Sequence, residues 1–255
     1  MKLSIITVNL NNANGLETTL NSLYSQSDRN FDLFVIDGCS ADNSIEIAHK
    51  YNSIISKLLS EPDNGVFDAQ NKGIELSNSS YLLFLNSGDY LIDNSIVAKF
   101  NSEMCDKDLI IGDIVFSLPS GLKWRRYYNS IKLSERFFYL ESLPHCCTFI
   151  NKDLFYKTGL YSEKYKICSD YDFFINAIQN LNASIRFLNY PISVFDTTGI
   201  SSDKSMKLEH FEERDEIFIK YYGRKRFIHF KTFNFYYATF FKKIPYIYNL
   251  IKSYF

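Results

Sequence analysis

Phe84-Leu85-Asn86-Ser87-Gly88-Asp89-Tyr90-Leu91 ends an apolar run that begins at Tyr81. Small and polar residues replace that run abruptly, with a single carboxylate among them. A buried strand ends this way at a ligand site. A carboxylate at a strand's carboxyl end, beside a glycine that lets a ligand come close, suits a divalent cation gripping phosphate. Asn-Ser-Gly-Asp also makes a good tight turn after a strand. This segment alone leaves both readings open.

Working outward, Leu3 to Val8 is a β-branched run of the kind buried on both faces of a parallel sheet. Leu16, Leu20 and Leu23 recur at helical spacing after a polar loop. Phe31 to Ile36 is a second apolar run, ending at Asp37-Gly38, and Ser40 to Ser44 supply capping residues for a helix reaching about Tyr51. Ile54 to Leu59 reads as a weak third strand, Gly65 to Leu76 as a helix and Tyr81 to Leu85 as the fourth strand. Such alternation predicts a parallel, doubly wound α/β sheet, whose ligand sits outside the strands' carboxyl ends. Asp37, Asp63 and Asp89 fall at or near three of those ends. Carboxylates converging on one crevice repel one another unless a cation or a hydrogen-bonding ligand is present.

Composition narrows the classes. A chain of 255 residues can bury a full core, and its net charge of −1 argues against a general nucleic-acid binder. The five cysteines show no scaffold or metal spacing, so reduced thiols are expected. The first residues read as a strand, not as a signal peptide, and no apolar stretch is long enough to span a membrane. Neither GxGxxG after the first strand nor GxxxxGK[ST] occurs, which disfavours dinucleotide-binding and P-loop folds.

Four segments then come in a telling order and spacing: Ser4-Ile5-Ile6-Thr7-Val8-Asn9-Leu10-Asn11, Val35-Ile36-Asp37-Gly38-Cys39-Ser40-Ala41-Asp42, 63–73 (Asp63-Asn64-Gly65 through Lys72-Gly73) and 84–89. Together they resemble the inverting family-two glycosyltransferases of the GT-A fold, of the type that builds bacterial O-antigen, capsule and other surface polysaccharides. The similarity is dense over about residues 1–95 and resumes around His145 and over 159–174. It implies a mixed, mostly parallel Rossmann-like sheet flanked by helices. It also implies a hexosyltransferase activity using a nucleotide-sugar donor, often a UDP-sugar, with Mn²⁺ or Mg²⁺.

Carried over by motif, the resemblance puts Thr7 and Asn11 in the nucleotide pocket, makes Asp37 the reader of the base and brings Asp63 to the nucleoside, with Asn86, Ser87 and Gly88 beside the donor. Asp37 also fits a helix-entry turn. The usual Asp-x-Asp form of the metal motif is altered: Asn86 and Gly88 stand at its leading acidic positions, and Asp89 alone keeps a carboxylate for the metal. In the segment 159–174, Asp170 matches the catalytic base, which takes the acceptor's proton as its hydroxyl attacks the anomeric carbon. Ser169-Asp170 is equally a helix-capping signal. His145 reads either as a diphosphate or acceptor contact or as a structural histidine. Adjacent Cys146-Cys147 suit the core, and Asp196 to Ser202, after an expected edge strand at 192–195, suit a loop over the donor phosphates or a plain surface loop.

Lys123-Trp124-Arg125-Arg126-Tyr127-Tyr128 mixes cations with aromatics. Trp124 could stack on an acceptor sugar while Arg125 and Arg126 meet a lipid diphosphate; a solvated hairpin is the alternative. After Glu216 the chain has no acidic residue, only cations interleaved with aromatics. That composition suits the interface of an anionic membrane, or a helical pair packed back on the sheet. The expected organisation is a catalytic unit over 1–204, divided at 95 into nucleotide-sugar and acceptor halves, followed by a helical extension over 205–255. The expected protein is cytoplasmic, peripheral at the inner face of the membrane, and acts on a glycan acceptor linked to polyprenyl diphosphate; a homodimer is left open. Rival readings are a degenerate nucleotide-sugar-binding module and a metal-dependent nucleotidyltransferase.

Overall fold

The computed structural model describes residues 2–103, 105–118, 121, 123–199 and 204–239; the side chains of 124, 204 and 234–239 lie outside that description. Leu3–Asn9 forms β1, buried along its whole length, as expected of a strand covered on both faces. Asn12 opens α1 (Ala13–Tyr24) by accepting from the Gly15 N–H, and Leu16, Leu20 and Leu23 bury its inner stripe. β2 (Asp32–Asp37), α2 (Ser44–Lys50), β3 (Lys57–Ser60), α3 (Val66–Leu76) and β4 (Tyr81–Phe84) complete the alternation. β2 and β4 flank β1 in parallel, with β3 outside β2. α3 lies so close to this sheet that a Cβ on Gly73 would come within 2.4 Å of Ile6 Cγ2.

The remainder is wired differently. β5 (Tyr90–Leu91), α4 (Ile96–Glu103), β6 (Leu109–Ser117), β7 (Lys123–Arg126), α5 (Glu135–Leu140), β8 (Thr148–Asn151), α6 (Asp153–Thr158), α7 (Ser169–Ile175) and β9 (Ile185–Asp196) follow in order. β8 is the antiparallel seam joining β4 to β6, so the order reads β3-β2-β1-β4-β8-β6-β9-β5, with β7 paired to β6. The result is a mixed, mostly parallel α/β sheet. β9 departs from expectation. It is an interior strand of 12 residues between β6 and β5, not an edge strand of four. Pro191 hid this from a sequence reading, because proline donates no ladder hydrogen bond; here it stands opposite Asp113, where the register slips.

α8 (Lys207–Thr239) is broken at Gly223, whose φ of +81° interrupts the helical path. Its first part belongs to the core, with Ile217 and Phe218 buried. Beyond the break Phe230 stacks on Tyr139 at 5.3 Å, so described aromatics of this segment turn back onto the body. The cations and aromatics of 240–255 expected at a membrane lie outside the described residues. Among the described residues no helix is long and apolar enough to cross a membrane.

Candidate active site

A cavity of about 650 Å³ opens beyond the carboxyl ends of β1 and β4. One wall is the segment 86–89, which forms a turn. Asp89 N–H donates to Asn86 C=O at 2.9 Å, and Gly88 adopts φ +105°, the conformation the third residue of such a turn requires. Thr19 of α1 clamps it, accepting from Gly88 N–H and donating to Asp89 C=O. The turn reading of the opening stretch therefore holds, and the turn lies on the cavity wall. Asn9, Asn12, Asp63, Gln70, Asn86 and Ser87 add polar groups to the lining. Asn9 Oδ1 is buried without a hydrogen-bond partner among the described residues, so it can accept from a ligand.

The pairing of β5 with β9 sets Tyr90 opposite Val194, which brings Asp89 beside Asp196. Asp196 N–H donates to Asp89 Oδ1 at 2.9 Å. Burial pushes the Asp89 carboxyl up to about 7, the Asp196 carboxylate adds to this, and the Asp196 N–H and His145 pull the other way. Two neighbouring carboxylates, one of them buried and reluctant to ionise, fit a divalent cation. Among the described residues no set of three or more His, Cys, Asp or Glu side chains forms a protein-only cage. Asp89 and Asp196, with phosphate oxygens and waters, could complete a Mg²⁺ or Mn²⁺ shell. Asp196 was read from sequence as the start of a loop; only strand register reveals it as a partner of Asp89.

On the facing wall, antiparallel β4–β8 pairing carries the turn at His145–Cys147 to the end of β4. His145 is held on both ring nitrogens: Asn86 Nδ2 lies 3.3 Å from Nε2, and Nδ1 lies 3.0 Å from Asp170 Oδ2. Burial lowers the imidazole pKa, but Asp170 and Asp89 outweigh it, so the net displacement is upward. Asp170 occupies the first turn of α7, and the segment leading into it is fastened from α8. Glu213 accepts from the backbone N–H groups of Lys166, Ile167 and Cys168 at 2.7, 3.0 and 2.9 Å. Arg214 donates to the carbonyls of Phe138 and Glu141 and lies over the Tyr171 ring. His210 and Arg214 themselves line the cavity, a contribution invisible to motif reading.

Of the residues singled out from sequence, Asp63, Asn86, Ser87, Asp89, Arg126, His145 and Asp170 line this one cavity. Several others do not. Thr7 is fully buried in mid-strand. Asn11, at φ +50°, turns its side chain to accept from Ala41 N–H. Asp37 is fully buried and already satisfied by Asn9, Ser40 and Ser60; burial raises its pKa, and these hydrogen bonds more than reverse that, leaving it lowered. Arg125, absent from the cavity lining, pairs with Asp113 of the neighbouring β6 at 3.1 Å. Arg126 pairs with Glu141 at 2.9 Å. The Trp124 side chain lies outside the described residues, as do 200–202 of the expected phosphate loop, while Asp196 and Gly199 reach the cavity. Cys146 and Cys147 are buried thiols.

Comparison with known proteins agrees with this geometry. The family model described as glycosyl transferase family 2 matches residues 4–171. A PGL/p-HBAD biosynthesis glycosyltransferase of Mycobacterium bovis is 28% identical over 202 residues, 77% of each chain. The Staphylococcus aureus TarS fragment 1-349, crystallised with UDP-GlcNAc, shares the fold at TM-score 0.65 and 20% identity, covering 87% of this chain and 71% of that one. The mannosyltransferase PcManGT of Pyrobaculum calidifontis, in complex with GDP-Man and Mn²⁺, also superposes at 0.65 with 13% identity, over 86% of this chain and 64% of that one. Mixed sheet, acid-bearing strand ends and family match converge on one assignment: this chain belongs to glycosyl transferase family 2 and is a glycosyltransferase.

Proposed function

We propose that this glycosyltransferase inverts configuration, moving one sugar from a nucleotide-sugar donor to an acceptor hydroxyl in the synthesis of a bacterial surface glycan. The observation that carries this reading is that Asp89 and Asp170, remote in sequence, line one cavity with His145 between them. A UDP-sugar is the first donor to test, since TarS was crystallised with UDP-GlcNAc. Asn9, Asp63 and Ser87 would meet the nucleotide, and Asp89 with Asp196 would hold Mn²⁺ or Mg²⁺, a reading supported by their sharing one cavity lining. The metal would offset charge gathering on the departing diphosphate. Asp170 takes the proton of the acceptor hydroxyl; its oxygen attacks the anomeric carbon from one face while the bond to diphosphate breaks on the other. The nucleoside diphosphate leaves with that electron pair, and the configuration inverts. The acceptor is a glycan or aglycone carried on a lipid, presented at the membrane's inner face; exposed Leu208 and Phe211 with the cations of α8 support that placement. The relative's PGL/p-HBAD name widens the acceptor class beyond O-antigen and capsule.

Asp170→Asn tests the reading. UDP release from UDP-GlcNAc or UDP-glucose with Mn²⁺ should fall by roughly 10²–10⁴-fold, with thermal stabilisation by the same nucleotide unchanged. Full activity in that variant would exclude Asp170 as base. No UDP release by the wild type from any nucleotide-sugar would favour a binding module.

A further inference from the structure

We propose that His145 is a positioning residue for Asp170, held with its proton on Nδ1 by an amide relay running from Gln70 through Asn86. The proposal rests on Asp170 being the base. Gln70, fully buried on α3, donates from Nε2 to Asn86 Oδ1 at 3.1 Å. This turns Asn86 Nδ2 towards His145 Nε2 at 3.3 Å. An amide nitrogen only donates, so Nε2 accepts, and the proton of the neutral ring sits on Nδ1. There it is donated to Asp170 Oδ2 at 3.0 Å. The opposite tautomer would set two donors face to face and remove the hydrogen bond to Asp170.

The relay gives a physical reason for Asn86, where the resemblance expects an acid. A carboxylate at 86 would accept from Nε2–H while Asp170 accepts from Nδ1–H. His145 would then be an imidazolium between two acids, and the acceptor hydroxyl would have to compete with an ion pair for the Asp170 carboxylate. The charges facing His145 are Asp170 on α7 and Asp89 in the turn after β4. Tyr161, Cys168 and His210 also interact with Asp170, and the Arg214 guanidinium lines the same cavity from α8. Burial raises the first two and lowers the third, so all three favour their neutral forms. Among them His145 is the one whose ring nitrogen lies within hydrogen-bond distance of Asp170 Oδ2. Phe84 packs its ring edge-on at 6.3 Å, which limits rotation of the imidazole.

The chain has four histidines, so nitrogen-15 spectra of the whole protein can resolve each ring, with His145→Gln identifying the signal. At pH 9 the wild-type His145 should show Nδ1 protonated and Nε2 bare. In Asn86→Asp the ring should stay doubly protonated at that pH. Mn²⁺-dependent UDP release should drop about tenfold or more in kcat, with the donor KM within about twofold of wild type. If position 86 acts only through the metal, Asn86→Asp should match or exceed the wild type. That outcome, or an Nε2 proton or imidazolium in the wild type at pH 9, overturns the relay. The wild-type spectrum decides even if a variant fails to fold. Loss of the base reading is recognised separately, by an active Asp170→Asn.

Discussion

The half of the chain up to Asp89 and the half beyond it reach the same cavity by different means. In the first half the polar lining groups Asn9, Asn86 and Asp89 sit at, or within a few residues of, the ends of β1 and β4, and Gln70 comes from the helix α3 packed on those strands. In the second half Asp170 sits on a helix of seven residues, fastened by a carboxylate on α8 more than 40 residues further on. Local order builds the first wall; long-range contacts build the second. The first wall should therefore tolerate loss of tertiary support that the second cannot.

Asp89→Asn bears most heavily on that comparison. With its folded pKa raised from 3.8 to about 7, Asp89 favours the folded state only while protonated. Without metal, wild-type stability should fall as pH rises from about 4 to 7 and then level, by roughly 4 kcal/mol at most. Asp89→Asn should remove this slope, melting above the wild type at pH 8 and close to it at pH 4, and should abolish stimulation by Mn²⁺. Calorimetry across that range checks it; a flat wild-type profile would show that the acid is not strained. Next in size is Glu213→Gln, which turns one acceptor into a donor against backbone N–H groups. We expect a loss of about 2–3 kcal/mol, with hydrogen exchange accelerating at 166–172 while β1 and β2 stay protected. Equal acceleration in both halves would erase the contrast drawn above. Smallest is Gly73→Ala, where the new methyl meets Ile6 Cγ2 at 2.4 Å. A cost of about 1–3 kcal/mol should appear in urea melts, confined to the first half.

Much of the site could be read from the chain. Asp89 ends an apolar run at Gly88, and Asp170 lies in a segment whose neighbours match a known motif; both line the cavity. Asp37 carries an equally good motif, yet Asn9, Ser40 and Ser60 occupy its oxygens and it is shut away. Motif reading finds the carboxylate and not the hydrogen bonds already made to it. The ion pair of Arg125 with Asp113 was hidden for a similar reason, because Asp113 sits on the neighbouring strand. Gln70, Asp196 and Glu213 gave no local signal, since each acquires its partner only through packing or register.

Periodicity and strand-end chemistry, both properties of short windows, were enough to determine the alternating sheet, its ligand-bearing rim and the acids that chemistry at that rim would need. Which acids face one another, which are consumed by neighbours, and which side chains hold His145 were decided only when β5 met β9, β8 met β4 and α8 closed over α7. Hydrogen bonding and burial act over a few ångströms in space, whatever the distance along the chain.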